Sequence, residues 1–225
     1  MKQSILLSCA LAIVLMTSSC AKKNAHYYAK KQGLDFGFAV TSGDLTQHPN
    51  VDILIENATM IVSENNMKSG NLHPNKRFWN WSDVDTLMDF AATHDIAVKF
   101  HTLFWHQQNP PFIINLASKE EAIEAMDEHI KTIMERYRGR VKVYDVVNEM
   151  FNEDGTLRET VWLDLMGPEY IEHALRTAHA YDPKAKLYLN EYNNENKGYA
   201  KSDAMYNLVR DFRQRGVPID GIGMQ

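Results

Sequence analysis

From Leu34 onward, short apolar segments alternate with stretches whose apolar residues recur at helical spacing, and no other feature of this chain restricts its fold as much. Such alternation is the pattern of βα units around a parallel sheet, because parallel neighbours can be joined only by a long crossover, usually a helix. Six strand candidates follow: residues 34–40, 59–63, 96–100, 141–147, 186–189 and 219–223. Between them, Ser118-Lys119-Glu120-Glu121 reads as a capping box ahead of Ile123, Met126, Ile130, Ile133 and Tyr137, with Gly139 closing the helix. A second helix starts near Ser82 with Val84, Leu87, Met88 and Ala91 as its apolar stripe. A third has Pro168 in its first turn, carries Ile171, Ala174, Leu175 and Ala178, and stops before Asp182-Pro183. The last runs through Met205, Leu208, Val209 and Phe212 to Gly216.

An alternating α/β series of six strands fits either an open doubly wound sheet or an incomplete TIM-type (β/α)8 barrel of about six βα units, strands 7 and 8 missing. The first predicted strand contains Phe36-Gly37-Phe38-Ala39, which is not a glycine-rich phosphate loop, so the barrel is favoured. No repeat, low-complexity tract or linker interrupts the series, and one domain over 34–225 is expected.

Ahead of it, residues 1–19 have the make-up of an export signal: Lys2, an apolar run from Ile5 to Met16, then Thr17, Ser18 and Ser19. That run is too short to span a bilayer. Cys20 follows at the position where a bacterial lipoprotein signal would be cut and the cysteine acylated, and 20–33 reads as a polar linker. The expected location is therefore secreted or attached to the cell envelope, with Cys20 the sole route to a membrane. Cys9, the other cysteine, lies in the signal, so no disulfide can form within the mature chain. A net charge of -5 without a Lys/Arg cluster argues against a nucleic-acid partner.

In either architecture ligands meet the C-terminal ends of the strands. Those ends carry Glu64-Asn65-Asn66-Met67-Lys68, then His101 through Trp105-His106-Gln107-Gln108, then Asn148-Glu149, then Asn190-Glu191-Tyr192-Asn193, and finally Met224-Gln225. Carboxylate, amide, imidazole, lysine and indole together suit a sugar, which needs many directional donors and acceptors and a flat apolar face. A zinc site is the weaker reading: His101 and His106 lie five apart without a recognised ligand spacing or a third ligand, so neither metal nor cofactor is expected. Trp79 and Trp81, at a helix start, read as packing.

The strings SENNMK, HTLFWHQQ, DVVNE, LYLNEYN and GVPIDGIGMQ, in this order and spacing, resemble glycoside hydrolase family 10, the barrel endo-1,4-β-xylanases, over residues 34–225. The resemblance implies a xylan or xylo-oligosaccharide substrate. It makes Glu149 the general acid/base and Asn148 the amide at the reacting sugar's 2-hydroxyl. Glu64, Asn65 and Lys68 would hold the neighbouring sugar on the non-reducing side, His101 would bond the reacting sugar, and Trp105 would close one side of the cleft. Gln108 and Gln225 match further cleft positions, and His106 and Tyr192 match supporting ones. Two departures, Ser69 where tryptophan is usual and Phe100 where glycine is common, lie near the cleft.

Cleavage of a glycosidic bond needs one carboxyl to protonate the leaving oxygen and a second to meet the oxocarbenium-like centre, about 5 Å away in retaining enzymes. The resemblance implies retention, and it places the nucleophilic glutamate just beyond the residue matching Gln225. Neither Glu191 nor Glu195 occupies that position. A chain of only these residues is thus expected to be poorly stable and nearly inactive. Two alternatives stay open: another retaining barrel glycosidase of the cellulase kind, and a non-catalytic sugar-binding surface protein.

Overall fold

The computed structural model describes residues 23–225; the proposed signal segment and Cys20 lie outside them. The chain runs α1 (Ala25–Gln32), β1 (Gly37–Val40), α2 (Asn50–Asn57), β2 (Met60–Ser63), α3 (Ser69–Leu72), α4 (Ser82–Thr93), β3 (Ala97–Trp105), α5 (Pro111–Ile114), α6 (Lys119–Arg136), β4 (Val143–Asn148), α7 (Val161–Met166), α8 (Tyr170–Tyr181), β5 (Lys186–Glu191), α9 (Ala200–Gln214) and β6 (Gly221–Met224).

All six strands are parallel and neighbour one another in sequence order. A doubly wound sheet reverses its strand order at a switch point, whereas a barrel wall does not, so the order selects the incomplete barrel expected above. The predicted stripes face the core: Val84, Leu87, Met88 and Ala91 of α4, Met126, Ile130 and Ile133 of α6, Ile171, Ala174, Leu175 and Ala178 of α8, and Met205 and Phe212 of α9 are buried. Ser118 caps α6 as expected, its hydroxyl accepting from the Glu121 N–H, while Glu121 reaches back to the Ala117 N–H.

Several boundaries differ from the expectation. The 20–33 segment is not wholly a linker: Asn24 caps α1 by accepting from Tyr27 N–H, and Gly33, at φ 66, ends it. That helix buries only Ala29, so it offers no apolar stripe by which to recognise it. Helix α6 ends at Arg136, three residues before Gly139, whose N–H is donated to Asp182. Pro168 precedes α8 instead of lying in its first turn. Strand β3 extends to Trp105, well past Phe100, with a register shift between His101 and Phe104. His101 and Trp105 therefore sit on a strand, which holds them more rigidly than a loop would.

Trp79 and Trp81 do pack, their rings parallel with centroids 4.8 Å apart, and His73 stacks on Trp79 at 3.6 Å. Beside them His129 is buried, its Nδ1 3.3 Å from that of His73. Burial, which penalises the imidazolium, lowers His73 to about 4 and His129 to about 3.

Candidate active site

Strand β4 is buried throughout and delivers Asn148 and then Glu149 at its C-terminal end. Glu149 leaves the strand in the left-handed region at φ 55. A non-glycine residue there costs on the order of 1–3 kcal/mol and persists only where surrounding bonds hold it. Here the Glu149 N–H is donated to the Asn190 carbonyl at 2.9 Å, and its own carbonyl accepts from Arg158 Nε at 3.0 Å.

The Glu149 carboxyl has two donors. Trp105 Nε1–H reaches Oε2 at 2.8 Å and Gln225 Nε2 reaches Oε1 at 2.6 Å. Residues 44 and 76 positions away in sequence thus converge on one side chain that is 12% exposed. His106 stands nearby, with Nδ1 3.7 Å from Oε2, too long for a hydrogen bond. Gln107 Nε2 donates to His106 Nε2 at 3.0 Å, so the ring proton belongs on Nδ1, facing the carboxyl. Burial lowers the pKa of His106 and the charge of Arg158 adds to that, against the opposing pull of Glu149.

Next to Glu149 opens a cleft of about 320 Å³ lined by Glu64, Lys68, Lys99, His101, Asp145, Asn190 and Gln225 among others. Lys68 Nζ is donated to Asn65 Oδ1 at 3.0 Å and lies 5.1 Å from the centre of the Trp105 ring. That places Lys68, Asn65 and Trp105 together, with the Glu149 carboxyl at the N–H edge of the indole. Asn148 joins through a chain of amides: Asn190 Nδ2 is donated both to Asn148 Oδ1 at 2.8 Å and to Gln225 Oε1 at 2.9 Å.

Gln108 lies apart from the residues bonded around Glu149. It lies at φ 51 in a separate depression with Gly70, Asn71, Pro74 and Asn109, not among the residues lining the cleft. Its carbonyl crowds Gly70 so closely that a Cβ there would fall 2.5 Å from it. The Tyr192 hydroxyl accepts from Arg158 at 3.1 Å, and the Lys201 ammonium sits 3.5 Å from its ring centre.

Five residues to which sequence reasoning gave no role also shape the site. Asp145, fully buried on β4, accepts from His101 Nδ1 at 2.8 Å and is ion-paired with Lys99, whose Nζ lies 3.0 Å from its carboxylate. Because a carboxylate only accepts, the His101 proton sits on Nδ1, and Nε2 is left for a ligand in the cleft. A lone charge in the apolar string Val143-Tyr144-Asp145-Val146-Val147 was a legible signal. Asn190 and Glu191 stood in the strand-end string Asn190-Glu191-Tyr192-Asn193 without an assigned part, whereas Arg158 and Lys201 gave no comparable sign. Glu191 is buried and its carboxyl is committed to the Phe151 and Tyr192 N–H groups and to Lys201. Burial raises its pKa, although those bonds pull the other way. Lys201 is raised despite its burial, because Glu153 and Glu191 both bond it.

The arrangement offers one carboxyl held by neutral donors beside a cleft with a cation, an imidazole, amides and an indole edge. Those are the means to grip a polyhydroxylated chain and deliver a proton to one of its oxygens.

Residues 24–225 match the family model described as glycosyl hydrolase family 10. Endo-1,4-beta-xylanase 3 of Hypocrea jecorina is 37% identical over 206 residues, covering 91% of this chain and 59% of its own length. Endo-1,4-beta-xylanase B of Thermotoga neapolitana is 39% identical over 202 residues, 88% of this chain and 58% of that relative. Among solved structures, xylanase 10B of Thermotoga petrophila in complex with xylobiose superposes with a TM-score of 0.85 at 35% identity, covering 90% of this chain and 63% of the other. The chain thus spans about three-fifths of the length of these relatives.

Proposed function

The chain belongs to glycosyl hydrolase family 10, and from that premise we propose that it acts on xylan, cleaving internal β-1,4-xylosidic bonds with retention of configuration. The observation that carries this reading is the Glu149 carboxyl, fixed by Trp105 and Gln225 at the edge of the cleft that Lys68 and His101 line.

In the reaction, Glu149 donates its proton to the glycosidic oxygen as the C–O bond breaks, and the departing sugar leaves as an alcohol instead of an alkoxide. As that bond breaks, a retaining reaction has the anomeric carbon bond to a second carboxylate as a glycosyl-enzyme; the Glu149 carboxylate then takes a proton from the water that displaces it, so both groups end as they began. Lys68, Asn65 and Glu64 hold the adjoining sugar, and His101 Nε2 and Asn148 bond the reacting one. Retention requires a second carboxylate about 5 Å from the first, and none of the described residues is assigned that part.

Binding and hydrolysis test this separately. Xylotriose is expected to bind, measured by calorimetry, with affinity lost in Lys68→Ala; preferential binding of cellotriose would move the substrate to the cellulase kind. Hydrolysis of xylan, where it is seen, is expected to vanish in Glu149→Gln, and activity surviving that change removes Glu149 from the acid role. Binding without hydrolysis under all conditions would favour a sugar-binding protein.

We further propose export through residues 1–19 with acylation at Cys20, motivated by the leader's composition. Labelled palmitate incorporated by the expressing bacterium and lost in Cys20→Ala would support it; a soluble, unlabelled product would contradict it.

A further inference from the structure

We propose that Arg158 is a positioning residue for the acid/base, holding the Glu149 carboxyl in place through that residue's backbone carbonyl. The left-handed backbone of Glu149 needs restraint on both sides. On the amino side β5 supplies it, through the Asn190 carbonyl. On the carboxyl side the restraint is Arg158, whose Nε–H is donated to the Glu149 carbonyl at 3.0 Å.

The same guanidinium makes two further bonds, to the Phe151 carbonyl at 2.9 Å and to the Tyr192 hydroxyl at 3.1 Å. One planar fork therefore ties together the first and third residues after β4 and the loop after β5. Its own backbone is anchored to the same turn, with Arg158 N–H donated to the Met150 carbonyl at 2.8 Å. The opposite polarity of that turn is held from beneath: Glu191 accepts from Phe151 N–H at 3.0 Å and from Tyr192 N–H at 3.1 Å, and is paired to the buried Lys201. Carbonyls are taken by a cation and N–H groups by an anion, so the turn that launches Glu149 has little freedom to rotate.

Arg158 is bonded to the backbone of Glu149, while the carboxyl is bonded to Trp105 and Gln225. Its action on the acid is accordingly geometric. A lysine could not replace it, because an ammonium on a flexible stem lacks the fixed fork that meets three acceptors at once.

The Trp105 indole reports where the carboxyl is, since its Nε1–H is bonded to Glu149 Oε2. In the 15N-labelled full chain each of the four tryptophans, Trp79, Trp81, Trp105 and Trp162, gives one indole correlation. Glu149→Ala defines the displacement of the Trp105 signal when its acceptor is removed. Arg158→Met is expected to move that signal by at least half as much, with the other three indoles unmoved, and Arg158→Lys is expected to restore less than half of the loss. A Trp105 signal at its wild-type position in a folded Arg158→Met protein overturns the role. If Arg158→Met displaces all four indoles, Arg158→Lys decides by the same measure: a wild-type Trp105 signal overturns the role and a displaced one alone supports it. The consequence for catalysis rests on Glu149 being the acid, but the indole reads position only; failure of the acid assignment shows instead as xylan hydrolysis surviving Glu149→Gln.

Discussion

The indole Nε1–H of Trp105 is donated to Oε2 of Glu149 at 2.8 Å, although the two residues stand 44 positions apart, one at the end of β3 and the other just past β4. The indole and the carboxyl are therefore one mechanical unit. Trp105→Phe keeps a flat apolar face and loses the donor, while Trp105→Ala loses both. Because burying such a face contributes about 1.5–3 kcal/mol, xylotriose affinity is expected to fall more than about tenfold in Trp105→Ala and less than about threefold in Trp105→Phe, measured by calorimetry. Equal losses would show that the donor, not the face, governs binding.

Asp145 holds Lys99 and His101 from a fully buried position. Asp145→Asn removes the charge that compensates Lys99 and leaves His101 without its carboxylate partner. Breaking a buried pair on one side costs about 3–5 kcal/mol, and because Lys99 is 26% exposed the expected loss is nearer the lower end. Urea unfolding should show a lower midpoint at unchanged slope.

Gly223 of β6 packs against the amide that links Asn148 to Gln225: a Cβ there would lie 1.9 Å from Asn190 Oδ1. Gly223→Ala should therefore push Asn190 aside while leaving the sheet intact. Loss of its two side-chain bonds, at roughly 1 kcal/mol net each, is expected to weaken xylotriose binding about tenfold or more. An unchanged affinity would mean that Gln225 and Asn148 hold their places without Asn190.

The histidine pair beside the stacked tryptophans predicts how stability responds to acid. His73 and His129 are lowered by burial to about 4 and about 3, against an unfolded value near 6.5. Between those limits the unfolded chain binds more protons than the folded one, so stability is complete above about pH 6.5 and is lost as pH falls toward 4. The urea midpoint should drop between pH 7 and pH 5, and His73→Phe, which keeps the ring stack and removes one titrating group, should make that drop smaller. The same drop in His73→Phe would assign the acid sensitivity elsewhere.

Much of this molecule was legible in its sequence because the signals are local. Apolar stripes at helical spacing announced α4, α6, α8 and α9, and the strings ending at Lys68, Gln108, Glu149 and Gln225 marked the functional ends of the strands. The one-turn helices α3 and α5, and α1 with a single buried residue, gave too few periodic positions to be recognised. Likewise β3 was expected to stop at Phe100, because polar His101 and Thr102 interrupt its apolar run. What only the tertiary structure decided is which distant side chains meet. Strand order and register bring Gln225 to Glu149 and Asn190 to Asn148, set Glu149 in a left-handed backbone, and bury Lys201 between two carboxylates. Hydrogen bonds between residues dozens of positions apart depend on how whole strands align, and no local pattern records that alignment.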